Sequence, residues 1–262
     1  MGVCEIILLV IVAAILLDFI FLSAYCRIMP WLEKSQKEKN VKKMELKINE
    51  IDNIHGGKAT SQDVVENTKN KQSKIKNFIW WLIFNYFYGI MRYSQICVSR
   101  FPSFAIRNLL YRLVFNMNIT KKTVIYGDCE IRSPWNFNAD NVVVANHCII
   151  DARNGVFVAN NVVFGGGVHI WTEEHEINDP YFSVTETHKA PVVIDEHAWI
   201  CSDTTILPGV HVGKGAVLAS RACATKDLEP FGVYGGIPAK KIEERNIDLR
   251  YNLSGKPTYY FY

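Results

Sequence analysis

Paired cysteines are missing from this sequence. Its seven cysteines, Cys4, Cys26, Cys97, Cys129, Cys148, Cys201 and Cys223, are scattered, odd in number and without a C-x-x-C pair. That argues against a disulfide framework and a structural zinc site, and fits a reducing compartment. A charge imbalance is missing too: 29 basic against 26 acidic residues leave a net charge of +3, too little to argue for nucleic acid as a partner. No basic residue precedes the first apolar run, so the run lacks the charged start of a cleaved signal peptide. The composition, 49% hydrophobic and 21% charged over 262 residues, is globular and allows one large domain or a domain plus an appendage.

What is there begins with "CEIILLVIVAAILLDFIFLSAYC", residues 4–26. A bilayer core takes about 20 apolar residues, so residues 1–27 read as an uncleaved transmembrane anchor. Asp18 is costly inside such a run unless paired or placed at a helix–helix contact. Before the span only Glu5 and the amino terminus carry charge; after it come Arg27, Lys34, Lys37, Lys39, Lys42 and Lys43. The positive-inside rule therefore predicts a single-pass protein of the cell membrane with the remainder in the cytoplasm. Residues 28–76 read as a charged spacer, with a helix possible over "EKSQKEKNVKKMELKINEI" and a linker over "HGGKATSQDVVENTKNKQSK". Residues 77–122 read as an aromatic and amphipathic helical segment. "FIWWLIFNYFYGIM", residues 78–91, is too short to span comfortably; Trp80, Trp81, Tyr86 and Tyr88 suit a membrane interface, and a helix docked on the domain's own core is the alternative. In residues 99–116, Ile106, Leu109, Leu110 and Leu113 form a helical stripe, with arginines on other faces.

From about residue 123 a step of six takes over. Ile194, Ile200, Ile206, Val212, Leu218 and Ala224 follow one another without a slip, and Val192, Ala198, Thr204, Val210, Ala216 and Ala222 stand two residues before them. Eleven of these twelve slots are apolar. Upstream, Val158, Phe164 and Ile170 keep the step, Val144 and Ile150 form an earlier pair, and "ARNG" (152–155) inserts two extra residues. Two apolar positions two apart are strand alternation. Repeated every six with turn formers between, at Asn160-Asn161, Gly165–Gly167, Pro208-Gly209 and Lys214-Gly215, they predict a parallel β-solenoid of hexapeptide repeats over residues 123–237. Its ends need covering. The helices before residue 123 and a helix over "PAKKIEER", opening a C-terminal helix and tail over 238–262, are the candidate caps.

"APVVIDEHAWICSDTTILPGVHVGKGAVLASRACATKDLEPFGVYGGIPAKKI" resembles the carboxy-terminal half of the hexapeptide-repeat O-acetyltransferases, such as the galactoside and maltose acetyltransferases and those of bacterial capsule and exopolysaccharide pathways. The motifs W-I-x-S, I-L-P-G-V-x-V-G, T-K-D and G-I-P-A-K, in that order, carry the resemblance, which covers about residues 123–245. It implies a left-handed parallel β-helix, a homotrimer, and acetyl-CoA held between neighbouring subunits. It implies that His175 is the catalytic base, that Trp199 packs near it and that Ser202 lies near the thioester. Ser202, Ser220, Thr225, Lys226 and Lys240 then fall where the family holds CoA, and Asn146 where it contacts the acceptor sugar. Cys201 and Arg221 depart from the pattern, each standing where the family has glycine.

The chemistry suits these residue types. A sugar hydroxyl is a poor nucleophile at neutral pH, and a positioned imidazole takes its proton as it attacks the thioester. The tetrahedral oxyanion needs a donor, for which Ser202 is the candidate. Glu173, Glu174 and Asp179 are candidates to orient His175, and Asp151 is a further candidate for substrate contact. The remaining histidines lack the spacing of a zinc carbonic anhydrase, so no metal is expected. The sequence thus predicts a membrane-anchored acetyl-CoA-dependent O-acetyltransferase acting on a sugar hydroxyl of a glycan or polysaccharide precursor. An amino-sugar N-acetyltransferase and a non-catalytic β-helix scaffold are the competing readings.

Overall fold

The computed structural model describes residues 3–54, 66–180, 182 and 189–257. They form two compact units, Met1–Cys26 with Arg92–Tyr262, and Arg27–Met91. Three helices lead: α1 (Val3–Ile54), α2 (Glu66–Ser99) and α3 (Phe104–Leu113). α1 carries both the apolar run and the charged spacer, and its stretch Leu8–Ser35 is long and apolar enough to cross a membrane. The expected linker is helical from Glu66 on. "ENTKNKQSK" contains neither Gly nor Pro and runs straight into the aromatic helix, so propagation costs less than a break. Residues 55–65 lie outside the described residues.

After α3 the chain winds into coils of three short strands. The first coil is β1 (Asn118–Ile119), β2 (Val124–Ile125) and β3 (Glu130–Arg132), five residues earlier than the texture of the sequence suggests. The second is β4 (Phe137–Ala139), β5 (Val143–Val144) and β6 (Ile149–Asp151). The third is β7 (Val156–Val158), β8 (Val163–Phe164) and β9 (His169–Ile170). The fourth is β10 (Val192–Ile194), β11 (Trp199–Ile200) and β12 (Thr205–Ile206). The fifth is β13 (His211–Val212), β14 (Val217–Leu218) and β15 (Cys223–Ala224). Strands of like rank stack into three parallel sheets, the faces of a prism: β1-β4-β7-β10-β13, β2-β5-β8-β11-β14 and β3-β6-β9-β12-β15.

Side chains at the six-step positions point inward. All twelve slots from Val192 to Ala224 are at most 2% exposed, so each coil stacks its aliphatics on those of the next. Thr204, the polar member, gives its hydroxyl to the Cys201 carbonyl at 2.9 Å, which makes its burial tolerable. The corners use left-handed backbone. Between the second and third faces Asp128, His147, Gly167, Asp203 and Arg221 all have positive φ; between the first and second, Asn141, Asn161, His197, Gly215 and Phe231 do. Asn and Asp accept this conformation at small cost.

The ends are closed by different means. β16 (Gly232–Gly235) adds to the second face and turns back as β17 (Lys240–Glu244), paired antiparallel with it. The expected helix over 238–245 is therefore a strand. The edge left by the last coil needs hydrogen-bond partners, and the glycine-containing turn after β16 supplies a hairpin that provides them. From Arg245 the chain runs back along the corner between the first and second faces. Arg245 Nη1 donates to the carbonyls of His197 (2.8 Å) and Gly215 (3.0 Å), the Tyr251 hydroxyl donates to His197 O (3.1 Å), and Leu253 N donates to Asn161 Oδ1 (2.9 Å). Residues 258–262 of the aromatic tail lie outside the described residues.

At the other end α3 caps the first coil with its polar side. Asn108 Nδ2 donates to Thr123 O (2.8 Å), and Arg107 Nη2 donates to Ile125 O (3.3 Å). An end coil offers carbonyls that no further strand covers, so a cap needs donors more than methyl groups. α2 is tied to the same coil. Arg92 and Arg132 both donate to the Glu130 carboxylate, the latter at 2.9 Å. Burial opposes ionisation of Glu130, but the hydrogen bonds from Arg132 and Arg92 outweigh it and hold the carboxyl below its ordinary value.

Candidate active site

Two corners of the prism carry the candidate residues, and the third face separates them. At the corner between the third and first faces the coil from β9 to β10 is interrupted. Val163 pairs with Trp199 and His169 with Thr205, thirty-six residues on, whereas Thr205 pairs with Cys223 only eighteen on. The difference, eighteen residues, is one whole coil's worth of chain leaving the solenoid and returning in register.

The neck of this excursion is a short antiparallel ribbon, with Glu173 bridged to Lys189 and Ala190 N donating to Thr172 O at 3.1 Å. Arg153, in the two-residue insertion one coil below, clamps it. Its guanidinium is bidentate on Asp151 (Nε–Oδ1 2.9 Å, Nη2–Oδ2 2.7 Å) and reaches Glu173. Asn154 Nδ2 adds bonds to Thr172 O (3.0 Å) and Glu173 Oε2 (3.1 Å). Asp151 is 0% exposed, so its carboxylate serves this clamp. Glu173, a candidate to orient His175, is taken up by Arg153 and Asn154.

His175 stands exposed on the excursion. Its Nδ1 lies 2.7 Å from the carbonyl oxygen of Phe182, and its ring stacks on the Phe182 ring at 4.2 Å between centroids and 3° between planes. A carbonyl only accepts, so this bond requires Nδ1 to carry the proton, which leaves the Nε2 lone pair free. Phe182 was not a candidate in the sequence. Its contribution is a backbone oxygen, for which no residue type is diagnostic.

The other set lies at the corner between the second and third faces. Ser202 and Ser220 occupy equivalent turns of successive coils, and Arg221 N donates to Ser202 O at 3.0 Å. Asn146 shares this corner two coils below the Ser202 turn, where Gly167 N donates to Asn146 O and Asp203 N to Gly166 O. Gly165 is required there: a Cβ would lie 2.5 Å from Ser202 N. Trp199 is on the second face just before this corner, outward and 47% exposed. Of the departures, Cys201 is partly buried, and burial pushes its thiol up, so it packs as a small side chain rather than serving as a thiolate. Arg221, where the resemblance implies glycine, adopts left-handed backbone (φ 62°), and its side chain is 85% exposed, with Nε 3.9 Å from Asp203 Oδ2. Its bulk is directed away from the coil.

Thr225 and Lys226 sit exposed two coils above the excursion at the same corner as its neck, and Lys240 is exposed on the closing hairpin. One chain thus brings together Asn146, Ser202 and Ser220 with Trp199 at one corner, and places His175, Thr225 and Lys226 at another. Among the described residues no cluster of three or more metal-ligating side chains occurs.

No family model matches the chain. A chloramphenicol acetyltransferase of Klebsiella aerogenes is 32% identical over 123 residues, 44% of this chain and 57% of that protein. WcaF of Escherichia coli, named for colanic acid biosynthesis acetyltransferase activity, is 27% identical over 172 residues, 65% of this chain and 88% of that protein. The solved structure of a galactoside acetyltransferase in complex with coenzyme A superposes with a TM-score of 0.53 at 20% identity, covering 75% of this chain and 90% of that one. The chain spans about half the length of the chloramphenicol acetyltransferases it matches. The three-faced parallel β-helix is thus the fold of solved hexapeptide-repeat acetyltransferases, and over its repeats the chain is similar in sequence to curated acetyltransferases.

Proposed function

We propose that the protein is a membrane-anchored O-acetyltransferase that moves an acetyl group from acetyl-CoA to a sugar hydroxyl of a glycan or polysaccharide precursor. The observation that carries this reading is the hydrogen bond from His175 Nδ1 to the Phe182 carbonyl. It fixes the tautomer a general base needs, and ring stacking on Phe182 fixes its plane. Nε2 takes the hydroxyl proton as the oxygen attacks the thioester carbonyl. The C–O bond forms, the Ser202 hydroxyl donates to the oxyanion, and the C–S bond breaks. The imidazolium then returns the proton to the departing sulfur, so the products are an ester and CoA thiol.

The two separated sets of residues support a site built between copies of the chain. The corner of one copy bearing His175, Thr225 and Lys226 meets the corner of the next bearing Asn146, Ser202 and Ser220. A head-to-tail contact repeated around an axis closes as a ring, and three copies are the number the family resemblance implies. CoA would lie in the groove between the two corners, with Lys226 and Lys240 as cations for its phosphates. α1 holds the assembly at the membrane, with the β-helix in the cytoplasm.

The test is acetyl-CoA turnover with candidate glycan acceptors, wild type against His175→Ala. Loss of a general base predicts a fall of about 10²–10⁴-fold in kcat with the oligomer intact. An unchanged rate in that variant sinks the assignment.

A further inference from the structure

α3 is inside out for a helix at the surface of a globular domain. Arg107, Asn108 and Tyr111 are buried against the first coil, while Ile106, Leu109 and Leu113 are 43%, 49% and 53% exposed, as is Phe101 in the turn before the helix at 43%. The cap explains the inner side, because the first coil requires donors. It leaves the outer side as a contiguous apolar face, which a soluble surface rarely keeps without an occupant.

Two observations identify that occupant. Ser23 Oγ donates to Leu113 O at 3.0 Å, which puts the end of α3 beside α1 at residue 23. There the apolar run carries the exposed Ile20 and Phe21, and Arg27, the first basic residue, closes it four residues beyond Ser23. Four residues of helix are about 6 Å, so α3 meets α1 at the depth where an interfacial helix sits, roughly 5–10 Å into the headgroup and acyl boundary. The charge agrees. Residues 101–127 contain no Asp or Glu, and beside the buried Arg107 they carry Arg112, Lys121 and Lys122, with both lysines exposed. That is the sign an anionic leaflet attracts.

We propose that the outer face of α3, with Phe101, lies in the membrane interface and forms a foot on which the first coil of the β-helix rests. This rests on reading α1 as a membrane anchor. The foot sets the height of the site. Parallel strands stack about 4.8 Å apart, so the His175 excursion leaves two to three coils, roughly 10–15 Å, above the first coil. That height suits an acceptor still joined to its lipid, with the acetylated hydroxyl within the first few sugars.

The experiment uses the full chain in phosphatidylcholine and phosphatidylglycerol vesicles containing a diazirine-acyl phosphatidylcholine, irradiated and mapped by peptide mass spectrometry. The expected result is lipid adducts on α3 within about threefold, per residue, of those on residues 8–21 of α1, and at least about tenfold above those on exposed strand residues such as Phe157. Adducts on α1 without adducts on α3 overturn the foot and leave the anchor standing. Adducts on α3 without α1 support the foot and refute the anchor, and adducts on neither overturn both. A photoreactive benzoylphenylalanine at position 109 that couples to a second copy instead of lipid also overturns the proposal.

Discussion

Separation of the candidate residues onto two corners makes a quantitative forecast for mixed oligomers. In the proposed mechanism His175→Ala removes the base at one corner, and Ser202→Ala removes the oxyanion donor at the other. Losing one such donor costs about 10²–10³-fold in kcat, so each variant alone is nearly inactive. When the two chains are co-expressed in equal amounts and assemble at random, a site works if its excursion comes from the Ser202→Ala chain and its facing corner from the His175→Ala chain. Each has a probability of one half, so the mixture should recover about one quarter of the wild-type rate, roughly 25–250-fold above the Ser202→Ala parent. Native mass spectrometry of the co-expressed protein, with one chain tagged, establishes that mixed oligomers are present, and acetyl transfer is then assayed on the same sample. If all site residues came from one chain, no mixture could contain an intact site. Mixed oligomers with activity no higher than the parents would refute the shared site.

Three further outcomes test the supports of the site. Arg153→Ala strands the fully buried Asp151 carboxylate. Breaking a buried pair costs about 3–5 kcal/mol, and because Arg153 is itself partly exposed we expect about 3 kcal/mol in urea denaturation; a loss within error of zero would show that the clamp is ornamental. Gly165→Ala puts a methyl group 2.5 Å from the backbone nitrogen of Ser202. The turn must shift, at a cost of about 1–3 kcal/mol in stability, with acetyl transfer falling as Ser202 moves; an unaffected Tm and rate would contradict the contact. Glu130 carries a depressed pKa in the folded state through Arg132 and Arg92. Its contribution is present above the unfolded carboxyl value of about 4.3 and is lost as pH falls through the folded value. Urea midpoints at about pH 6 and about pH 3 should therefore differ less in Glu130→Gln than in wild type, and equal differences would refute the linkage.

The coil was legible in the sequence because every inward position has the same job. A residue at Ile200 stacks on Phe164 below and Leu218 above, so the six-step survives any change of individual aliphatic. The in-phase return at Ile194 showed that the excursion leaves the coil undisturbed, and the 36-residue register is the same fact in three dimensions. Other features rest on backbone atoms and left little mark on residue type. The partner that sets the His175 tautomer is a carbonyl. The return of the chain along residues 245–255 is held largely by carbonyls of the corner it follows. The apolar stripe of α3 was visible, but which side faces the coil was decided by carbonyls at the coil's end. The hairpin of β16 and β17, over 232–244, left no mark on residue type for the same reason, since an unpaired sheet edge exists only once the sheet does.

One corner of the prism absorbs the irregularity that leads to the site. Between the third and first faces the ordinary step is six residues, as from Thr205 to His211. Lower in the prism the same corner gains a 3-10 turn at Pro134–Asn136, then "ARNG", then the whole excursion. These insertions act on one another: Asn136 Nδ2 reaches Arg153 O at 3.4 Å, and Arg153 and Asn154 grip the neck of the excursion above. In the proposed site the loop needs freedom at its tip to meet a neighbouring copy and rigidity at its root to keep the tip in place. The two extra residues of "ARNG" supply the root. Restoring the plain six-step there, by deleting Arg153 and Asn154 together with Asp151→Asn so that no buried carboxylate is stranded, keeps the coil's periodicity but frees the neck. The coil should then survive with its strand signal intact while acetyl transfer falls, which circular dichroism and the turnover assay on one sample would distinguish.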